Sequence, residues 1–128
     1  MNNTILKLAA FLGALSVALG AFAAHGLKKL ISEKAVETFQ TGVTYQFYHV
    51  FALLAAGILF RYYKNKFIQN ASIFFLLGIL FFSGSLYLLT LKEYLQLESL
   101  QWVVFITPLG GVCFIVGWMF LLLGIKEK

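Results

Sequence analysis

The chain has 128 residues, of which 61% are hydrophobic and 12% charged. A soluble domain sits near ~45–50% apolar and ~25% charged, so this chain lacks the polar residues to cover a globular surface. One integral membrane domain over residues 1–128 is expected. The net charge of +5 comes from ten Lys and Arg gathered at the ends of apolar runs. They form no stripe alternating with stacking aromatics, which argues against nucleic acid as a partner.

The first apolar run is Thr4–Ala24. With Lys7 ahead and "AFAA" at its end it resembles a secretory signal. It is nevertheless full-length and rich in small residues, as a packed span would be, and a retained span is expected. The link that follows, His25–Thr41, is the longest. Leu27, Leu30, Ile31, Ala35 and Phe39 recur there at helical spacing, with Lys28, Lys29, Glu33, Lys34 and Glu37 mostly on the other face. That pattern predicts a short interfacial amphipathic helix between spans 1 and 2, restarted by an N-cap at Ser32.

The second run, Gly42–Phe60, ends in "RYYKNK", which reads as a tight turn anchored at the interface. The third run is Gln69–Leu91. A link with Lys92, Glu93 and Glu98 leads to the fourth, Trp102–Gly124. Each run is near the ~20 residues that cross a hydrocarbon core, and each must be helical because an open strand in lipid leaves its backbone unpaired. Four spans put both termini on one side. With termini inside, Lys7, Arg61, Lys64, Lys66, Lys126 and Lys128 lie inside against Lys28, Lys29, Lys34 and Lys92 outside. Six against four favours cytoplasmic termini.

Small residues mark the helix seams, since burial alone does not drive association between spans in lipid. The first span offers Ala9, Gly13, Ser16, Gly20 and Ala23, the third Gly78 and Ser85, and the fourth Gly110, Gly117 and Gly124. The expected fold is all-α: an antiparallel four-helix transmembrane bundle.

Polar residues converge in the outer leaflet. Tyr45, Gln46 and His49 start the second span, Ser83, Ser85 and Tyr87 end the third, Thr107 and Pro108 start the fourth, and His25 ends the first. His49 lies about three residues from the centre of its span, or ~5 Å by helical rise. Gly42, Gln46, His49, Leu53 and Ala56 form one stripe, expected to face the bundle. Val43, Phe47, Val50, Leu54 and Ile58 form a bulkier one, expected to face lipid. His49 and Gln46 are expected to bond Ser83, Ser85, Thr107 or the Val104 carbonyl, which Pro108 would free by interrupting its helix.

The stretches "GAFAAHGL" (Gly20–Leu27), "FQTGVTYQFYHVFALL" (Phe39–Leu54), "FFSGSLYLL" (Phe81–Leu89) and "ITPLGGVCFIVGW" (Ile106–Trp118) resemble, in order, the signature blocks of domain-of-unknown-function family 423. This is a group of small four-span bacterial inner-membrane proteins with a similar eukaryotic transmembrane protein. Ala23 stands where the resemblance leads one to expect glycine. The resemblance implies four spans and no cleaved signal, and brings no catalytic residues with it.

The expected function is non-enzymatic: an intramembrane polar pocket in one leaflet for a small amphipathic ligand, a lipid or a partner helix. Its lining would be His25, Tyr45, Gln46, His49, Ser83, Ser85, Tyr87, Thr107 and Pro108. The alternatives are metal or haem binding by His25 and His49, or an oligomeric transporter. The spans hold no Asp or Glu, so carboxylate acid–base catalysis within the membrane is excluded. The lone Cys113 rules out an internal disulfide and a multi-cysteine zinc site. No cofactor and no resident metal are expected. The bilayer is the expected surrounding, with room for a homo-oligomer or a partner membrane protein.

Overall fold

The computed structural model describes residues 2–126. Its elements are α1 (Asn2–Ala24), a 3-10 turn (Leu27–Lys29), α2 (Glu33–Tyr63), α3 (Lys66–Gly78), a π-helical turn (Ile79–Ser83), α4 (Gly84–Leu95), a 3-10 segment (Glu98–Phe105) and α5 (Ile106–Gly124). The described residues contain no strand. The third span runs through α3, the π turn and α4, and the fourth through the 3-10 segment and α5. Four helical rods are thus long and apolar enough to cross a membrane. They form an antiparallel bundle in which α1 packs along α2, α5 packs along the third span, and α2 and the third span fill the middle. Lys128, counted above with the terminal face, lies outside the described residues.

The helix ends follow their local chemistry. The Ser32 hydroxyl accepts the Ala35 N–H at 3.2 Å and opens α2. The amphipathic segment of the first link does begin there, but it is no separate short helix: it continues into the second span without a break through Tyr63. Nothing in Glu33–Thr41 stops a helix, since the stretch lacks proline and glycine, and Gly42 just after it is packed inside the bundle. Ala35, Val36 and Phe39 are buried there beside Ala23 and Leu27 of the preceding turn. Leu30 instead points outward.

At the opposite end "RYYKNK" is the tight turn expected. Lys64 closes α2 in the left-handed region at φ 35°. Asn65 then caps α3, accepting the Ile68 N–H at 3.1 Å and donating to the Gly124 carbonyl at 2.9 Å. One side chain thereby ties the turn between the second and third spans to the end of the fourth.

The glycine seams follow the small-residue stripes. Ala9, Ser16 and Ala23 are fully buried against α2, and a Cβ on Gly13 or Gly20 would meet Val50 or Val43 at 3.5 Å. Between α5 and the third span the approach is closer. A Cβ on Gly117 would lie 2.7 Å from the Phe75 ring, and one on Gly124 2.5 Å from Ile68. One on Gly110 would run into the backbone of Phe82, in the π turn. Backbone cannot move aside as a rotamer can, so Gly110 sets how near α5 comes to the third span.

The inward stripe of α2 is buried as expected, from Gly42 through Gln46, His49 and Leu53 to Ala56. The second stripe does not face lipid throughout. Val43 and Val50 are buried, Phe47 and Leu54 partly so, and only Ile58 of the five is exposed. The physical reason is the central place of α2, which has α1 on one side and the third span on the other. Its lipid face carries Tyr48, Phe51, Ile58 and Tyr62 instead.

The close approach predicts an asymmetry between glycines. Gly110→Ala should destabilise the bundle by roughly 1–3 kcal/mol, as overpacking does. Gly13→Ala, whose methyl meets only a movable Val50 methyl, should stay within about 0.5 kcal/mol. Thermal unfolding of the two variants in one detergent checks this, and equal losses would refute the role given to Gly110.

Candidate intramembrane site

In the half of the bundle nearer the first and third links, the polar side chains bond one another or helix carbonyls. Gln46, on the buried face of α2, reaches both neighbours. Its Nε2 donates to the Leu12 carbonyl of α1 at 3.1 Å, and its Oε1 accepts the Tyr87 hydroxyl of α4 at 2.7 Å. The Leu12 carbonyl also accepts the Ser16 hydroxyl at 2.7 Å. Ser83, fully buried at the end of the π turn, donates to the Gly42 carbonyl of α2 at 2.7 Å. The Ser85 and Thr107 hydroxyls bond each other at 2.5 Å, joining α4 to the first turn of α5.

His49 uses both ring nitrogens. Nδ1 lies 2.8 Å from the Tyr45 carbonyl one turn back in α2, and Nε2 lies 3.0 Å from the indole Nε1 of Trp118 on α5. A carbonyl only accepts and an indole N–H only donates, so the ring is neutral and carries its proton on Nδ1. Phe114 stacks on the imidazole with centroids 3.5 Å apart and planes 9° from parallel. Phe75 flanks it at 5.7 Å.

These contacts correct several expectations. His49 bonds neither Ser83, Ser85 nor Thr107, because those hydroxyls are taken by Gly42, Phe82 and one another. Gln46 likewise goes to Leu12 and Tyr87. Pro108 does not interrupt a helix: it is the third residue of α5, where a backbone N–H has no acceptor within the helix. The chain before it is 3-10, so Pro108 completes a change of helix type. His25 stands apart from the cluster, exposed at the end of α1 with Nδ1 3.1 Å from the Ala21 carbonyl. Among the described residues no three His, Cys, Asp or Glu side chains gather as a metal site would require.

Beside His49 is a cavity of ~460 Å³, between α2, the π turn and α5. Tyr45, His49 and Phe82 line one side, and Pro108, Gly111 and Val112 with Phe114, Ile115 and Trp118 the other. His49 is only 4% exposed, yet Val112 and Ile115 stand open, so the space is a groove facing outward from the bundle. Of the nine sequence candidates it takes Tyr45, His49 and Pro108. Gln46, Ser83, Ser85, Tyr87 and Thr107 form the bonded layer among the helices, and His25 belongs to neither.

Trp118, Phe114 and the Leu12 carbonyl were absent from the sequence reading. Trp118 carried a usable signal, since an indole N–H deep in a span must find an acceptor. The Leu12 carbonyl carried none, because every helical residue has one.

Fold and polar layer together describe a four-span integral membrane protein. The family model described as "Protein of unknown function (DUF423)" matches residues 19–111, and the chain belongs to that family. A "UPF0382 membrane protein" of Haemophilus influenzae is 44% identical over 97% of this chain and 94% of its own length. The "UPF0382 membrane protein" of Staphylococcus saprophyticus is 41% identical over 93% of this chain and 97% of its own. The "UPF0382 inner membrane protein YgdD" of Escherichia coli is 40% identical over 96% of this chain and 89% of its own. No solved structure matches the chain.

Two outcomes follow from the polar layer. Nitrogen-15 spectra of the histidine rings should show His49 protonated at Nδ1 with an unprotonated Nε2, and a charged ring or the other tautomer would contradict the Trp118 bond. Tyr87→Phe should leave the Gln46 oxygen without its donor and cost about 1 kcal/mol of stability. In the Gln46→Leu background the same change should cost nearly nothing, which a double-mutant cycle measures.

Proposed function

We propose that this protein is a non-enzymatic membrane protein whose groove beside His49 takes up one amphipathic molecule from the bilayer. The observation that carries the reading is the separation of roles within the outer half. The polar side chains are committed to one another or to helix carbonyls, and among the described residues no buried side-chain nitrogen or oxygen lacks a partner. What is left to meet a ligand is an aromatic and aliphatic groove of ~460 Å³ open on its outward side. Such a surface suits an apolar chain, with the neutral His49–Trp118 pair forming its floor. Catalysis has little to work with there. Every described carboxylate is in a link or the outer turns of α2 and α4, and the imidazole has both nitrogens engaged.

The charge distribution supports an orientation. The face with the first and third links sets Lys28, Lys29, Lys34 and Lys92 against Glu33, Glu37, Glu93 and Glu98, and so is neutral. The net charge of +5 therefore resides on the terminal face, with Lys7, Arg61, Lys64, Lys66 and Lys126 among the described residues. The positive-inside rule counts Lys and Arg alone, and six on the terminal face against four on the link face favour cytoplasmic termini, in the inner membrane that the name of the Escherichia coli relative gives. The groove then opens in the outer leaflet.

Gly111 offers the test of the groove. A Cβ there would find only Phe82 Cδ2, at 4.0 Å, so Gly111→Leu fills the space without disturbing the bundle. Native mass spectrometry after mild delipidation should find one retained amphiphile on the wild type and none on Gly111→Leu, with unchanged melting temperature. Equal retention by both would defeat the reading. For orientation, Lys64→Cys and Glu98→Cys in a Cys113→Ser background are exposed to a membrane-impermeant maleimide on spheroplasts. Label should reach only Glu98→Cys, and label on Lys64→Cys alone would reverse the topology.

A further inference from the structure

Tyr45 stands between two hollows. That ring also lines a second hollow, of ~300 Å³, whose other walls are Glu37, Gln40, Thr41 and Thr44. Glu37, Thr41, Tyr45 and His49 follow at intervals of four on α2, so they mark one continuous stripe from the link to the buried imidazole. The twelve helical steps from Glu37 to His49 rise ~18 Å, close to the depth of one leaflet from head groups to midplane. Two hollows meeting at one tyrosine over that length match a single bilayer lipid, chain below and head group above.

The upper hollow also selects by charge. Glu37 is the one charged side chain lining it. The nearby cations turn elsewhere: Lys34 and Lys92 line a separate basin with Glu93 and Glu98, and Lys28 lines a third with Glu33. The Thr41 hydroxyl is occupied with the Glu37 carbonyl at 3.0 Å. Thr44 and Gln40 are exposed and keep donors for an oxygen-rich group. A head group that was only anionic would meet a carboxylate with no cation beside it, whereas an ammonium would pair with Glu37.

We infer that the groove's occupant is a phospholipid of the surrounding leaflet with a primary ammonium head group, which Glu37 receives at the mouth of the stripe. This rests on the groove reading above. The lipid's ammonium sits at Glu37, its phosphate oxygens face Thr44 and Gln40, and one acyl chain passes Tyr45 toward Pro108, Ile115 and Trp118.

The test is a competition. Full-length protein in uncharged maltoside micelles is given equal amounts of two phospholipids with identical chains, one with an ethanolamine and one with a glycerol head group. Native mass spectrometry then counts the retained molecules. The wild type should hold one lipid and favour ethanolamine about fivefold, the scale of a single partly exposed ion pair. Glu37→Gln should still hold one lipid, with no preference. Gly111→Leu should hold neither.

One retained lipid without head-group preference on the wild type, or an undiminished preference in Glu37→Gln, would overturn the ammonium assignment and leave the groove standing. No retained lipid on the wild type, or equal retention on Gly111→Leu, would remove the groove itself. A dimer that excludes lipid and is lost in Gly111→Leu would show a second copy as the occupant and overturn both.

Discussion

Hydrocarbon offers no hydrogen bonds, and the arrangement of this chain follows from that. Each amide, imidazole, indole and hydroxyl within a span must find its partner inside the protein or carry a cost of several kcal/mol. The half nearer the first and third links places Gln46, His49, Tyr87, Trp118 and a set of hydroxyls in the spans, and most partners are found between helices. Gln46 alone joins three of the four, through Leu12 on α1 and Tyr87 on α4. His49 and Trp118 join α2 to α5, and Ser85 and Thr107 join α4 to α5. Individually such bonds are worth little, about 0.6 kcal/mol on average, because the helices dissociated in lipid also find partners. Their larger effect is on register, since an amide with both ends engaged permits one rotation and one height of the helix that carries it.

That register needs the helices to be near. A hydroxyl such as Ser83 reaches a carbonyl on the neighbouring helix only when the two backbones are close. Gly42, whose carbonyl it finds, has no side chain in the way, and a Cβ there would lie 2.8 Å from the Tyr87 ring. The same holds along α5, where Gly110, Gly117 and Gly124 admit the Phe82 backbone, Phe75 and Ile68 in turn. Glycine at sevens and polar pairs across the seam are therefore two parts of one device: the first sets distance and the second sets rotation.

This also explains what the sequence reveals and what it withholds. Hydropathy gives the four rods because the period and length of an apolar helix are local properties. The seams are readable for the same reason, as small residues on one helical face must meet something. The inward stripe of α2 is readable, since an amide and an imidazole cannot face lipid. The lipid-facing stripe is not, because it depends on α2 lying between α1 and the third span, and helix order is a property of the assembled bundle. Val43 and Val50 look lipid-facing until α1 covers them. Hydrogen-bond partners are the least legible. Three side chains, Ser83, Ser85 and Thr107, and the Val104 carbonyl are the candidates the sequence offers Gln46, and the choice of Leu12 and Tyr87 depends on heights that no single span records. Pro108 misleads in another way: proline inside an apolar run reads as a break, yet it sits in the first turn of α5 because the preceding residues wind as 3-10 helix.

Satisfying the polar layer internally has a consequence for the surface. Had His49 or Gln46 kept an open donor, this half of the bundle would offer a polar ligand a place to bind within the membrane. With those groups paired, the wall beside His49 presents rings and aliphatic carbons, and the polar atoms free to meet a ligand lie one to three turns higher, from Thr44 back to Glu37. Apolar below and polar above is the division of a lipid molecule itself. On the reading proposed above, the two hollows that share Tyr45 repeat it, and the interactions that hold the bundle together leave only apolar surface beside His49.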